Sequence, residues 1–369
     1  MNGNNDRPEQ CPDEFLDAKS LRGDPLAKMN KKAEKEAAHS RFLEDTCPAP
    51  ALKCRDQSVF FFTDRPAIKD SGERLKGFGK DNNHTPLSDI TFGKTSVDRP
   101  MVLPRMTACA NEIYKTANPK ETFEKIHSDS NDFLEDLDKS RLESPVHKVV
   151  ILNPGFATSF EHGADTAAAQ KESLAKIGID MPVVLYSPPC HDTMRGSKYA
   201  SDEENFESSL VVHGAKTISD IEKKVGSNNV ILIGFSLGNQ NTTAYAFSRN
   251  FYGVKEPMYA QNFSRSDTPV KMVAPMINAI CDNAKHTRFT YSLADRAEKF
   301  SGILHNNERT GNYAGKYIKI APELQNRLEL CDDSAKNNKI SKHIYDPDGN
   351  ALWIKQILTQ DGEIPAEQK

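Results

Sequence analysis

Val230-Ile231-Leu232-Ile233-Gly234-Phe235-Ser236-Leu237-Gly238-Asn239 is the stretch on which the fold is decided. Four consecutive branched aliphatic residues, bounded by glycine, suit a strand buried on both faces, as in parallel sheets. A Gly-x-Ser-x-Gly pattern follows at once and leads into a helical pattern beginning near Leu237. Such an elbow turns a strand abruptly into a helix and leaves its serine strained, with the hydroxyl at the sheet edge. Gly234 and Gly238 are needed because a Cβ at either place collides with the turning backbone. The helix start then aims free N–H groups and a positive dipole at whatever the serine attacks.

The same texture extends in both directions from the elbow. Upstream, Lys148-Val149-Val150-Ile151-Leu152 ends at Asn153-Pro154-Gly155, a helical stretch spans 164–176, Val183-Val184-Leu185-Tyr186 reads as a strand, and a helix follows over about 206–224. Downstream, Val270-Lys271-Met272-Val273-Ala274, Arg288-Phe289-Thr290-Tyr291 and Leu328-Glu329-Leu330-Cys331 read as further strands. Strands alternating with helices predict an α/β fold: a mostly parallel, doubly wound sheet with helices on both faces. Ser58-Val59-Phe60-Phe61-Phe62 and Asp89-Ile90-Thr91-Phe92-Gly93 add an N-terminal β extension. Residues 106–145 carry a weak helical period around Phe123, Ile126, Phe133 and Leu134, which predicts a helical excursion with a possible role as a lid. The expected organisation is a flexible polar arm over 1–46, one domain over 47–360 and a flexible tail over 361–369.

Composition removes several function classes. With 48 Lys+Arg against 52 Asp+Glu the net charge is −4, which offers no basic footprint for nucleic acid. No run of 18 apolar residues is present, so no transmembrane segment is expected. The first fifty residues lack the apolar core of a signal peptide, which predicts a cytoplasmic protein, with export through a dedicated secretion system as the alternative use of the polar arm. The 7 cysteines are odd in number and never form a CxxC pair, so neither a disulfide framework nor a zinc site is expected. In Cys190-His191-Asp192 the ligand types are adjacent, and adjacent side chains rarely converge on one ion. No metal or other cofactor is expected.

An elbow serine needs a base, and the base needs an orienting acid, in the chain order serine, acid, histidine. Three histidines follow Ser236. His286 directly precedes a strand, at the wrong sheet end, and His305 shares a helical stretch with Asp295. His343, in the loop Ser341-Lys342-His343-Ile344-Tyr345-Asp346-Pro347 after the last strand, is the expected base. Asp295, just after the 288–291 strand, is the expected acid, and Asp282, after the run at 270–274, is its competitor. Asp332 and Asp333 end the final strand and rank behind both. The oxyanion hole takes the N–H of Leu237 and a second one from the loop after the 148–152 strand. Pro154 has no N–H, which leaves Phe156 as the candidate.

These residues resemble the α/β hydrolases of unknown function whose elbow reads His-Ser-Met-Gly-Asn, here Phe235-Ser236-Leu237-Gly238-Asn239. The similarity includes Thr63-Asp64-Arg65 after an early strand and Ile90-Thr91-Phe92-Gly93 after it. It continues in Tyr199, Asp202, Asn205 and Ser208, in Tyr291-Ser292-Leu293-Ala294-Asp295-Arg296-Ala297 with Ser301 and Arg309-Thr310-Gly311, and in Lys342-His343-Ile344-Tyr345. The resemblance covers about 57–357 and implies an α/β-hydrolase fold with Ser236, Asp295 and His343 as nucleophile, acid and base. Two places depart from the pattern: Asn153-Pro154-Gly155 stands where the group has His-Gly, and Pro188-Pro189 stands for its Trp-Pro. The expected activity is that of a serine hydrolase acting on a small-molecule carboxylic ester. The alternatives are a binding module that keeps the fold without catalysis and an exported effector hydrolase.

Overall fold

Alternation within the two central apolar runs sets the layers. In the 149–153 strand, Val150 and Leu152 join one hydrophobic cluster and Val149 and Ile151 another; in the elbow strand, Ile231 and Ile233 divide from Val230 and Leu232 in the same way. Successive side chains of a strand point to opposite faces, so each run needs apolar cover on both sides. The computed structural model describes residues 57–72, 74–79, 90–98, 120–155, 158–190, 203–204, 209–293, 295–334 and 345–365. The chain divides into the units Met1–Ala49 and Pro50–Lys369, and every described residue belongs to the second. The arm expected over 1–46 lies outside the described residues.

In chain order the elements are β1 (Gln57–Thr63), β2 (Ala67–Lys69), β3 (Leu75–Phe78), β4 (Thr91–Asp98), β5 (Lys120–Ile126), α1 (Ser130–Glu143), β6 (Val149–Asn153), α2 (Phe160–Lys176) and β7 (Val183–Tyr186). A π-helical turn over 210–214 then leads into α3 (Ala215–Val225), followed by β8 (Val230–Phe235), α4 (Gly238–Ser248), β9 (Met258–Ser264), α5 (Val270–Val273) and α6 (Ile277–Asp282). The last elements are β10 (Ala284–Tyr291), α7 (Arg296–Leu304), α8 (Thr310–Tyr317), β11 (Leu328–Asp332) and α9 (Pro347–Gln360).

Nine of the described strands form one sheet in the order β5-β4-β1-β7-β6-β8-β9-β10-β11. From β1 to β11 all neighbours are parallel, and β4 and β5 are added as antiparallel strands at one end. This is the mostly parallel, doubly wound α/β sheet expected from the sequence, with β8 in the middle of its parallel part and the β extension at one edge. Side chains of α2 and α9, including Phe160, Ala164, Trp353 and Ile354, cover one face; α1, α3 and α4 cover the other through Phe133, Ile218, Ile221 and Tyr245. Each large aliphatic or aromatic side chain so buried contributes about 1.5–3 kcal/mol.

Three expectations are corrected. The run at 270–274 is not a strand: it follows Pro269 and forms α5 and a 3-10 turn, while the strand beside β8 is β9, Met258–Ser264. Within 106–145, Phe123 and Ile126 belong to edge strand β5, and only Phe133 and Leu134 lie on a helix; residues 106–119 lie outside the described residues. The 361–365 stretch is tied to the body, because Asp361 pairs with Lys285 and His286 and Glu363 pairs with Lys148; residues 366–369 are outside the described residues. No helix among the described residues is long and apolar enough to cross a membrane.

Candidate active site

Parallel pairing brings the carboxyl ends of β6, β8, β9, β10 and β11 to one edge of the sheet, in a register that sets Asn153 beside Gly234, Phe235 beside Ser264, and Tyr291 beside Asp332. Ser236 leaves the end of β8 at φ 53°, a left-handed conformation that costs a non-glycine residue on the order of 1–3 kcal/mol and needs its surroundings to hold it. Those surroundings are backbone hydrogen bonds. The Ser236 N–H donates to Ser264 O at 3.0 Å, and its own carbonyl accepts from the N–H of Asp267 at 3.2 Å and of Asn239 at 3.0 Å. Asn239 Nδ2 also donates to Ser264 O at 2.8 Å, so both neighbours of the turn are tied to the end of β9.

Close approach explains the glycines. A Cβ on Gly234 would stand 2.3 Å from Asn239 Oδ1 and 2.5 Å from Thr242 Oγ1, and one on Gly238 would stand 2.3 Å from Pro154 O. The start of α4 is therefore pressed against the end of β6. The positive end of α4 faces the same edge, although the Asn239 and Gln240 N–H groups are already taken by Ser236 O and Leu237 O at 3.0 and 2.9 Å. Leu237 stands at this junction in helical conformation. From the β6 side Gly155 closes the contact, since a Cβ there would lie 2.8 Å from Ser236 Cβ. Phe156, expected to give the second oxyanion donor, lies outside the described residues.

Asp295 follows β10 and is fully buried at this carboxyl edge, two strands from β8. Its Oδ1 accepts from the N–H of Glu298 at 3.2 Å, capping the start of α7, and its carbonyl accepts from Asn312 Nδ2 at 3.1 Å. Asp282 ends α6 just before β10 begins, at the opposite edge of the sheet. Its carboxylate faces solvent, 71% exposed, and pairs with Arg327 at 3.2 Å. Asp282 is thus corrected as an alternative acid: the 270–274 run that seemed to precede it as a strand is helical, and the chain there has already crossed back to the amino edge.

Asp267, which sequence reading missed, occupies the place given to Asp282. It lies three residues beyond β9, buried, with its N–H on Ser236 O and its Oδ1 accepting from Ser301 Oγ at 2.6 Å and facing Arg309 Nε at 3.1 Å. The signal for it was available only once β9 was known to end at Ser264. Glu298 completes this acidic group. Burial, and after it the carboxylates of Asp267 and Asp295, hold its pKa well above the ordinary glutamate value, against the opposing pull of Arg309 and Arg265.

The histidines separate by location. His286, expected just before a strand, lies inside the amino half of β10 with Nε2 2.9 Å from Asp361 Oδ2. His305 follows α7 and meets Glu203 Oε2 at 3.0 Å, while Glu203 Oε1 accepts from Gln240 Nε2 of α4 at 2.8 Å. These contacts link α7 to the helix that follows the elbow, a connection invisible before the fold is known. His343 lies outside the described residues. Two residues after it, Tyr345 packs its ring edge-on against Phe235, with centroids 5.6 Å apart, and donates its hydroxyl to Gln170 Oε1 at 2.6 Å.

No family model matches the sequence, and neither does any curated relative at a significant level. Among solved structures, the chain is similar to the crystal structure of esterase PE8, at 16% identity over 57% of this chain and 93% of that one, with a TM-score of 0.35. It is also similar to a hyperthermophilic esterase from the archaeon Pyrobaculum calidifontis, at 8% identity over 92% of each chain and a TM-score of 0.36. A structure of fungal esterases from Rhizomucor miehei gives 9% identity over 95% of this chain and 94% of that one, with a TM-score of 0.39. Likeness of this degree assigns no activity and no site residue to the chain.

Proposed function

We propose that this chain is a serine hydrolase that cleaves a carboxylic ester through an acyl-enzyme, with Ser236 as nucleophile, His343 as base and Asp295 as acid. The observation that carries this is Ser236 at φ 53°, held at a strand-to-helix turn in the middle of a parallel sheet. Strain of this kind persists where surrounding structure enforces it, and here it sets a hydroxyl-bearing residue at a helix start. Burial of Asp295 after β10 supports its role, because an acid kept from water orients an imidazole most strongly. The contact of Tyr345 with Phe235 supports His343, since it anchors the chain two residues from the histidine beside the residue that precedes the nucleophile.

In this mechanism Ser236 Oγ attacks the ester carbonyl as His343 takes its proton, and Asp295 steadies the imidazolium. The N–H groups of Leu237 and Phe156 donate to the developing oxyanion, the alcohol leaves with the proton from His343, and water, giving its proton to His343, attacks the acyl-serine to release the acid. The test uses a fluorophosphonate probe and short p-nitrophenyl esters. Wild type labels and turns over; Ser236→Ala does neither; His343→Ala and Asp295→Asn lose most turnover; Asp282→Asn keeps it. A folded wild-type protein, by circular dichroism, that neither labels nor hydrolyses the esters refutes the assignment.

A further inference from the structure

Thr63-Asp64-Arg65 runs off the end of β1, three strands from the elbow strand β8 on the far side of β6 and β7, and the mechanism above uses none of its residues. Arg65 is 1% exposed. Its guanidinium reaches three separate segments. Nη2 donates to Thr158 O at 2.7 Å, Nε to Ser187 Oγ at 2.9 Å, and Nη1 to Cys190 O at 3.1 Å with a longer contact to Gly79 O at 3.5 Å. Ser187 is itself fixed to β1, its N–H on Phe62 O at 3.1 Å and its carbonyl accepting from Thr63 Oγ1 at 2.6 Å.

Thr158 lies on the loop that joins β6 to α2 and carries the candidate oxyanion donor. At its first end this loop is fixed by Gly155, pressed on Ser236. At its second end Ser159 Oγ caps α2 by accepting from the His162 N–H at 3.2 Å, and the Thr158 carbonyl is taken by Arg65. Burying a guanidinium costs several kcal/mol that carbonyl and hydroxyl partners only partly return, whereas its planar fork holds acceptors in several directions at once, which an ammonium cannot do.

We infer that Arg65 is a positioning residue for the oxyanion loop: by tying Thr158 to the segment after β7, it fixes the α2 end of that loop, as Gly155 against Ser236 fixes the other. This rests on the serine-hydrolase reading. The Arg65 guanidinium donates to oxygens of Thr158, Ser187 and Cys190, so its loss misplaces a hydrogen-bond donor and leaves proton transfer as it was.

The test compares the wild-type full chain with Arg65→Lys and with the milder Ser187→Ala, which removes one acceptor. Turnover of a p-nitrophenyl ester is measured per active site titrated with fluorophosphonate, together with pH profile, thermal midpoint and affinity for a trifluoromethyl ketone that mimics the tetrahedral adduct. For Arg65→Lys the expected result is a fall in kcat of about tenfold or more, the scale of a weakened oxyanion donor, with KM within about threefold and the pH midpoint unmoved. Ketone affinity falls by the same factor as kcat/KM, because both report the tetrahedral geometry. Ser187→Ala shows the same pattern at about threefold, and it decides the matter if Arg65→Lys does not fold. A purely structural arginine lowers the thermal midpoint while kcat per titrated site stays within about twofold, and that result overturns the inference alone. A folded wild type without turnover overturns the serine-hydrolase reading and this inference with it.

Discussion

Replacing Glu298 by glutamine should make the protein more stable, and increasingly so as pH rises. Glu298 is the third residue of α7, 1% exposed, and packed so closely that a Cβ on Gly311 would come within 2.9 Å of its Cδ. The groups facing it are the carboxylates of Asp267 and Asp295 and the guanidinium groups of Arg309 and Arg265. Burial and then the two carboxylates raise its pKa well above 4.5, and the arginines do not reverse this. Above pH 4.5 the unfolded chain therefore releases a proton that the folded protein keeps. The unfolded state binds fewer protons, so stability declines with pH at up to about 1.4 kcal/mol per unit, from the ordinary glutamate value up to the raised folded value. The contribution of Glu298 is complete below 4.5 and is lost as pH climbs through that window. Glutamine has the same shape and nothing to release, and the helix-capping N–H of residue 298 on Asp295 Oδ1 is a backbone bond that survives the change. Urea unfolding of wild type and Glu298→Gln, from about pH 5 to about pH 8, isolates the effect, since every other titrating group cancels in the difference. The gap should widen in favour of the variant by about 1.4 kcal/mol per unit until Glu298 ionises in the folded state. A gap that stays constant with pH, or narrows, refutes the placement of a neutral acid beside Asp295.

Two further outcomes concern stability and the elbow. Gly234→Ala puts a methyl 2.3 Å from Asn239 Oδ1 and 2.5 Å from Thr242 Oγ1. It should cost about 1–3 kcal/mol by thermal unfolding and slow fluorophosphonate labelling of the residue two places on. Glu222 and Arg249 form a buried pair, with Nη2 2.6 Å from Oε2 and side chains 0% and 2% exposed. Glu222→Leu should cost about 3–5 kcal/mol in urea unfolding by stranding the guanidinium, and adding Arg249→Met should recover most of that loss.

What was legible in the sequence follows from how each strand meets its burial. β6, β7 and β8 are buried on both faces along the aliphatic runs 149–152, 183–185 and 230–233, and these unbroken runs marked them. β9 is equally buried, but its seven residues include Gln261, Asn262 and Ser264, which conceal it in a hydropathy reading. These polar groups are tolerated because they find partners across the sheet. Gln261 donates to Ile280 O at 2.5 Å and to Thr287 Oγ1 at 2.9 Å, and Asn262 donates to Asn350 Oδ1 at 2.7 Å. The run at 270–274 took the place of β9 in the sequence reading, and with it came the wrong rival acid. The elbow was readable because steric demand writes glycine at fixed spacing. The network of Asp267, Ser301, Arg309 and Glu298 was not, because its members are up to 42 residues apart and only the fold brings them together.

Vectorial synthesis gives the Tyr345 contact a temporal meaning. The elbow strand, its helix and Asp295 are all made before Tyr345 can reach Phe235, and before Trp353, Ile354 and Leu358 of α9 can fill the core beneath β6 and β8. A nascent chain therefore carries Ser236 with one side of the sheet unsealed until Tyr345 and α9 have been made. Since domains fold as units, the edge around Ser236 is completed only as the final helix docks. Ribosome-bound chains arrested before residue 345 should present Ser236 without the Phe235–Tyr345 contact and with the core on the α9 side of the sheet still open.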